Sequence, residues 1–89
     1  MHRQYLYRED RILTPLKRVG KRGEGKFEPI TWDEAYAEIA NGLNAAKEKY
    51  GAESVAFYSG YSKWYRQMLR RLAYAFGSPN YGCESSACY

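Results

Sequence analysis

Two cysteines close to the end of the sequence are the side chains best suited to chemistry. Cys83 and Cys88 are separated by four residues, and His2 is the only histidine in the 89-residue chain. Zinc sites need four ligands and usually more closely spaced pairs, so these residues do not make a self-contained zinc or iron–sulfur site. A cysteine nucleophile needs a neighbouring base, and no histidine is suitably placed. The cysteines therefore gain a chemical role only if an external cofactor brings the metal.

A glycine-rich stretch, GKRGEGK, offers a second candidate for ligand binding. A phosphate-binding loop follows a strand and opens a helix, whereas here a second extended segment over Lys26–Ile30 intervenes. We therefore interpret Gly20, Gly23 and Gly25 as turn residues that permit positive φ angles. Four basic residues surround this turn: Lys17, Arg18, Lys21 and Arg22. They leave a stand-alone basic module that binds nucleic acid or another protein open as an alternative function.

A long helix is the most clearly marked of the elements that must position these residues. Thr31 and Glu34 have the spacing of a capping box, so a helix is predicted to begin there. Its apolar positions are Ala35, Ile39, Leu43, Ala46 and Tyr50. They recur every three or four residues, which predicts one apolar helix face. Gly51 predicts the end of the helix.

A strand and a second helix are predicted after Gly51. Ser54–Gly60 has the composition of a short buried strand. The apolar stripe of the helix that follows consists of Tyr65, Met68, Leu69, Leu72 and Phe76. Gly77 is predicted to end this helix, and Pro79 prevents it from restarting. The next residues, PNYGC, are predicted to enter a further short strand or a loop.

Two arginines of the second helix form a like-charge pair. Arg66 and Arg70 are four residues apart, and such a pair slightly destabilises an isolated helix. We hypothesise that they face another part of a larger enzyme or a cofactor phosphate, with plain solvation as the alternative.

The predicted fold class is α/β. Residues 1–31 form a basic, Gly/Pro-rich hairpin segment whose strands are Ile12–Val19 and Lys26–Ile30, with Pro15 and Pro29 confining both strands to sheet edges. Residues 32–89 form a helix–strand–helix–(strand) unit, which is a partial parallel α/β unit. Parallel sheets are normally covered on both faces, so this one or two-stranded sheet is predicted to be incomplete.

Composition sets further bounds. The net charge of +4 favours anionic partners, and ten tyrosines suit surfaces that another part of an assembly covers. No apolar run approaches the roughly 20 residues of a membrane span, and the first residues do not have the pattern of a signal peptide. The compartment is undecided, with the cytoplasm as the default.

A long stretch, DRILTPLKRVGKRGEGKFEPITWDEAYAEIA, resembles a signature of the molybdopterin oxidoreductases, which include formate dehydrogenases, nitrate reductases, and thiosulfate or polysulfide reductases. The match to the signature runs from Arg11 to Ala35, and the resemblance continues through KYGAESVAFYSG and FGSPNYGCESSAC. It covers nearly the whole chain. It implies an enzyme that holds molybdenum or tungsten on two pterin–guanine dinucleotides.

The resemblance also implies roles for individual residues. In the family, the metal ligand lies roughly eight residues after an asparagine, and Cys88 stands eight residues after Asn80. Cys88 is therefore expected to be the metal ligand and the catalytic residue. Ser59, Gly60, Lys63 and Asn80 are the expected cofactor-binding residues. Cys83 falls where some members have a cysteine that is not a ligand.

The departures from the family pattern concern extent. Members that carry a [4Fe-4S] cluster have four cysteines before this region, and none is present here. The resemblance therefore implies an internal fragment of a catalytic subunit, which contributes part of the cofactor site and is not active alone. Its expected partners are the remainder of the enzyme, electron-transfer subunits and a small-molecule substrate, with no membrane span and no nucleic acid.

Overall fold

The chain folds into short strands and helices that alternate along the sequence. A computed structural model describes residues 2–61 and 63–88. Its elements are α1 (His2–Leu6), β1 (Leu16–Arg18), β2 (Phe27–Pro29), α2 (Trp32–Tyr50), a 3-10 turn (Ala52–Ser54), β3 (Phe57–Ser59), α3 (Arg66–Phe76), β4 (Tyr81–Cys83) and α4 (Ser85–Cys88). Contacts divide the chain into two units, with the division between Ile39 and Ala40, inside α2. The predicted boundary at residue 31 stays a prediction.

The first unit contains the predicted β-hairpin. Strands β1 and β2 pair antiparallel, with Lys17 opposite Glu28. Gly23 and Gly25 have φ angles of 93° and 69° in the connecting turn, as their glycine identity predicts. Each strand has three residues, fewer than predicted, because Pro15 and Pro29 cannot donate hydrogen bonds at the strand ends.

The capping box at the start of α2 is confirmed. The backbone N–H of Glu34 donates to Thr31 Oγ1 at 3.2 Å, and the Thr31 backbone N–H donates to Glu34 Oε2 at 2.7 Å. The Thr31 backbone and hydroxyl hydrogen bonds hold the pKa of Glu34 below its ordinary value. At the other end, Gly51 adopts φ 88° and its N–H donates to the Lys47 carbonyl at 2.9 Å.

The second unit is built on a parallel strand–helix–strand arrangement. Strands β3 and β4 are parallel neighbours, with Phe57 opposite Tyr81 and Ser59 opposite Cys83. Helix α3 connects them and packs on both. The predicted α/β unit is therefore confirmed, and the segment after Pro79 is a strand rather than a loop.

Gly77 ends α3 as the sequence predicts. It adopts a left-handed φ of 98°, and its N–H bonds to the carbonyls of Ala73 and Tyr74. The Ser78 N–H also donates to the Ala73 carbonyl at 3.0 Å. These bonds form a Schellman motif, which satisfies the last carbonyls of the helix.

The buried core is small and lies in the second unit. Its members are Phe57, Ser59, Ala73 and Ser78. The rings of Phe57 and Phe76 meet edge to face at 5.6 Å. The apolar stripes predicted for α2 and α3 are only partly buried: Ile39 is 58% exposed and Met68 is 71% exposed.

The helices of this structure are short or polar. Among residues 2–61 and 63–88, none of them combines the length and apolar character that crossing a membrane requires.

Candidate metal-ligand and cofactor site

The carboxyl ends of β3 and β4 bring several predicted site residues to one edge of the parallel pair. Ser59 ends β3 opposite Cys83, which ends β4, and Gly60 follows directly. Ligands of open α/β sheets bind beyond this edge, because the loops that leave the strands form a crevice there. The edge is therefore the candidate site.

Ser59 is buried at this edge, and its hydroxyl lies 3.2 Å from the Tyr81 hydroxyl oxygen. The Tyr81 hydroxyl in turn donates to the Arg66 carbonyl at 3.3 Å. Because that bond uses the only Tyr81 proton, the Ser59 hydroxyl donates to Tyr81. Ser59 thus joins β3 to β4 and α3.

The segment after β3 is open. A side chain added at Gly60 would meet no atom within 4 Å, so the backbone there is accessible to a ligand. Lys63 is exposed, with its Nζ 5.2 Å from the ring centroid of Tyr61. The structure therefore places an accessible stretch of backbone at Gly60, and the positively charged side chain of Lys63, beyond the end of β3.

The two cysteines lie on either side of a tight turn. Cys83 ends β4 and is half-buried, whereas Cys88 is the last residue of α4 and is exposed. The Ala87 N–H donates to the Glu84 carbonyl at 3.2 Å, which closes the turn into α4. Both cysteines are free thiols.

The donor set fits a metal that arrives with most of its ligands. Within the described ranges, no group of three or more histidine, cysteine, aspartate or glutamate side chains could hold a metal. Cys88 offers one exposed, soft sulfur donor, which suits a metal already bound to other sulfur ligands. A site of this type fits a pterin-bound metal.

Asn80 lies at the other end of β4. It precedes the strand, and its side-chain amide donates to the Glu53 carbonyl at 2.6 Å. Its backbone N–H donates to Ser78 Oγ at 3.1 Å. The structure therefore does not bring Asn80 together with Ser59 and Gly60, and its predicted cofactor contact stays a prediction.

A cleft of about 200 Å³ lies beside the cysteine turn. The residues that line it come from α3, β4 and α4: Arg66, Gln67, Arg70, Tyr81, Cys83 and Ser85. None of its members except Cys83 and the two arginines was singled out from the sequence. The predicted strand–helix–strand order could have identified the other lining residues. In such a unit the first turn of the helix and the residues after the second strand lie at the same edge of the strand pair.

Arg66 has a partner within the chain, and the hypothesis that Arg66 and Arg70 face another part of a larger enzyme or a cofactor phosphate stays a prediction. Arg66 Nη1 bonds Glu84 Oε1 at 2.9 Å within the chain. Arg70 donates from Nε to the Tyr74 hydroxyl at 3.1 Å. Each arginine of the like-charge pair thus has its own partner within the chain.

Glu84 is the acceptor at the centre of this arrangement. Its Oε1 also accepts from the Ser85 hydroxyl at 3.2 Å, and its Oε2 is buried with no partner among the described residues. Burial acts to raise the pKa of Glu84. Hydrogen bonds from its own backbone and Ser85, together with the charge of Arg66, outweigh burial and lower that pKa.

A comparison with protein-family models shows which family the chain belongs to. The model of the molybdopterin oxidoreductases matches residues 11–88. This chain belongs to that family. Membership confirms the resemblance seen in the sequence, and it implies a molybdenum–pterin cofactor for the enzyme.

Individual relatives agree with the family match. The chain is 49% identical over 78 residues to the molybdopterin-containing subunit of thiosulfate reductase from Salmonella typhimurium, covering 88% of this chain and 10% of that protein. It is 55% identical over 53 residues to the dimethyl sulfoxide reductase of Haemophilus influenzae, covering 60% of this chain and 7% of that protein.

A solved structure has the same fold. Acetylene hydratase from Pelobacter acetylenicus matches with a TM-score of 0.77 and 39% identity, covering 90% of this chain and 11% of that chain. The chain thus spans about 10% of the length of the relatives it matches. The likeness confirms the partial α/β unit.

The alternative of a basic binding module has no specific support in the hairpin. Lys17, one of its four basic residues, bonds Glu38 Oε2 at 2.7 Å. The family match also includes the whole hairpin, so these residues belong to the oxidoreductase pattern.

Proposed function

We propose that this chain supplies the metal-ligand turn of a molybdopterin oxidoreductase catalytic subunit, with Cys88 as the protein ligand and catalytic residue. The observation that carries the proposal is the position of Cys88. Its exposed thiol follows β4 at the carboxyl edge of a parallel pair, where open α/β folds bind ligands. Its spacing from Asn80 agrees with the family pattern.

In this proposal the predicted site residues have distinct tasks. Cys88 binds a metal only as a thiolate, so its proton must leave when the cofactor is loaded. Gly60 leaves the backbone open to close approach, and Lys63 provides a positive charge for an anionic cofactor group. Ser59 acts indirectly, since its hydroxyl is engaged with Tyr81.

The cofactor supplies the redox chemistry when it is bound, transferring oxygen atoms or electron pairs at the substrate. We propose the form with two pterin–guanine dinucleotides, holding molybdenum or tungsten. A [4Fe-4S] cluster in another region of the enzyme, electron-transfer subunits and a small-molecule substrate complete the proposal. The 89 residues alone would not turn over substrate, because they include only one donor of the metal site.

The test uses the full-length enzyme with its cofactor. Cys88→Ala should abolish activity and lower the sulfur count around the metal by one in X-ray absorption. Cys88→Ser should replace that sulfur neighbour by an oxygen. Cys83→Ala is the matched control and should leave the sulfur count unchanged. A Cys88→Ala enzyme that keeps both its sulfur count and its activity would refute the proposal.

A further inference from the structure

One ion pair links the first turn of α3 to the cysteine turn. Arg66 and Glu84 are 18 residues apart in sequence, and their side chains are 31% and 16% exposed. The other ion pairs among the described residues are more open: Arg8–Asp10, Lys17–Glu38 and Lys26–Glu24 all have side chains at least 39% exposed. Arg66–Glu84 is therefore the pair most shielded from water.

Shielding from water increases the effect of an ion pair on stability. Exposed ion pairs contribute little to stability, since water and salt screen them. Removing one partner of a partly shielded pair leaves the other charge without compensation where water screens it less, which is more unfavourable than at an exposed site. Conformations of the turn that keep Arg66 and Glu84 in contact are accordingly favoured over conformations that separate them.

The pair is tied to the strands as well. The Arg66 carbonyl accepts from the Tyr81 hydroxyl, which accepts from Ser59. The Arg66 side chain thus reaches Glu84 from a backbone that is itself fixed to β4 and, through Ser59, to β3.

The turn itself has a second anchor. The Cys83 N–H donates to Ser86 Oγ at 3.2 Å, and Ser85 donates to the same Glu84 oxygen as Arg66. Glu84 and Ser86 hold the turn on both sides of Ser85, and Cys88 follows two residues later. The direction in which α4 leaves β4 therefore depends on where Glu84 is held.

We infer that Arg66 and Glu84 are positioning residues for Cys88. Their ion pair fixes the turn between β4 and α4 against the first turn of α3, so that the Cys88 thiol is presented at the edge of the parallel pair. The inference rests on the proposed role of Cys88 as the metal ligand. It assigns Arg66 to holding the turn between β4 and α4.

The first measurement uses the full-length enzyme produced without cofactor. The rate at which Cys83 reacts with a maleimide is followed by mass spectrometry, because Cys83 is half-buried beside the turn. Glu84→Ala and Arg66→Ala should each raise this rate by about tenfold or more, as an uncompensated charge frees the turn. Arg71→Ala, an exposed arginine of the same helix, is the matched control and should leave the rate unchanged.

The second measurement uses the loaded enzyme. In X-ray absorption, Glu84→Ala should give a sulfur count between those of the wild type and Cys88→Ala, because Cys88 is bound in only part of the molecules. Arg71→Ala should keep the wild-type count. Arg66→Ala should lower the sulfur count as Glu84→Ala does, and Arg66→Lys, which keeps the charge, should recover part of that loss. A purely structural effect of shortening the side chain would not be reversed by charge.

The possible outcomes test the positioning role of Arg66 and Glu84 separately from the role of Cys88 as metal ligand. A Cys83 rate in Glu84→Ala and Arg66→Ala equal to that of Arg71→Ala, or a full sulfur count in Glu84→Ala, overturns the positioning role. If Cys88→Ala itself keeps the sulfur count, the proposed function fails, and the Cys83 rate still decides whether the pair holds the turn. If an alanine variant loses its far-ultraviolet circular dichroism, Arg66→Met replaces it, with the same increase expected.

Discussion

The hairpin unit and the strand–helix–strand unit are held together in different ways. In the hairpin unit the polar contacts are exposed and most join residues near one another in sequence, as Thr31 and Glu34 do. In the strand–helix–strand unit the contacts that matter join distant residues, as in Arg66–Glu84 and in the bond from Lys47 Nζ to the Phe76 carbonyl at 2.8 Å. The buried residues also belong to this second unit.

The difference explains where the candidate site lies. A hairpin held by contacts between residues close in sequence does not bring together reactive side chains from distant parts of the chain. A parallel strand pair with a connecting helix brings Ser59, Cys83 and Glu84 to one edge from separate parts of the sequence. Function is therefore expected to be most sensitive to changes in the second unit.

The largest expected effect is at the buried centre of α3. Ala73 is fully buried, so Ala73→Leu should overpack the contact with the strands and cost about 2 kcal/mol of unfolding free energy. Ala75→Leu in the same helix and Ala37→Leu in the hairpin unit are exposed controls, expected to stay within about 0.5 kcal/mol. Urea unfolding measures all three. Equal effects at Ala73 and Ala37 would remove the contrast in burial between the units.

The next effect concerns the end of α3. Gly77→Ala forces a side chain into a left-handed conformation with φ 98° and should cost about 1 kcal/mol. Gly42→Ala is the matched control, because Gly42 lies inside α2 with open space around it. That change should stabilise the helix by about 0.5 to 1 kcal/mol. The same sign for both substitutions in thermal unfolding would contradict the assignment.

The hairpin unit provides the third prediction. Thr31→Ala removes the hydroxyl that accepts the Glu34 N–H and should cost about 1 kcal/mol. Thr14→Ala, at an exposed position before β1, is the control and should change stability by no more than about 0.5 kcal/mol. A melting temperature of Thr31→Ala that matches Thr14→Ala would mean that the cap does not stabilise the helix.

The smallest effect is a pH dependence at the same cap. The pKa of Glu34 is lowered by its bonds to Thr31, from an ordinary value of 4.5. The contribution of the ionised form is complete above that ordinary pKa and is lost as pH falls through the lower folded-state pKa. Thermal unfolding of Glu34→Gln should therefore depend less on pH in acid than that of the wild type. Glu48→Gln, at an exposed position of the same helix, should follow the wild type.

Local signals gave the elements that the structure confirms. The capping box, the glycines that end α2 and α3, and the hairpin turn depend on residues a few positions apart, so their energetics are visible in a short window of sequence. The sequence also predicts the parallel strand–helix–strand order of the second unit. The short helices α1 and α4 were not, because a single turn of helix has too little periodicity to detect.

The identity of the family and the two cysteines followed from the sequence alone, since residue types and their order carry that information directly. Only the tertiary structure decided that Ser59 is engaged with Tyr81, that Asn80 lies at the opposite end of β4, and that Arg66 is paired with Glu84. Each of these depends on which strand ends meet and which helix turn lies beside them. Contacts between residues 18 to 27 positions apart are set by packing in three dimensions, and the helix and strand periods do not encode them.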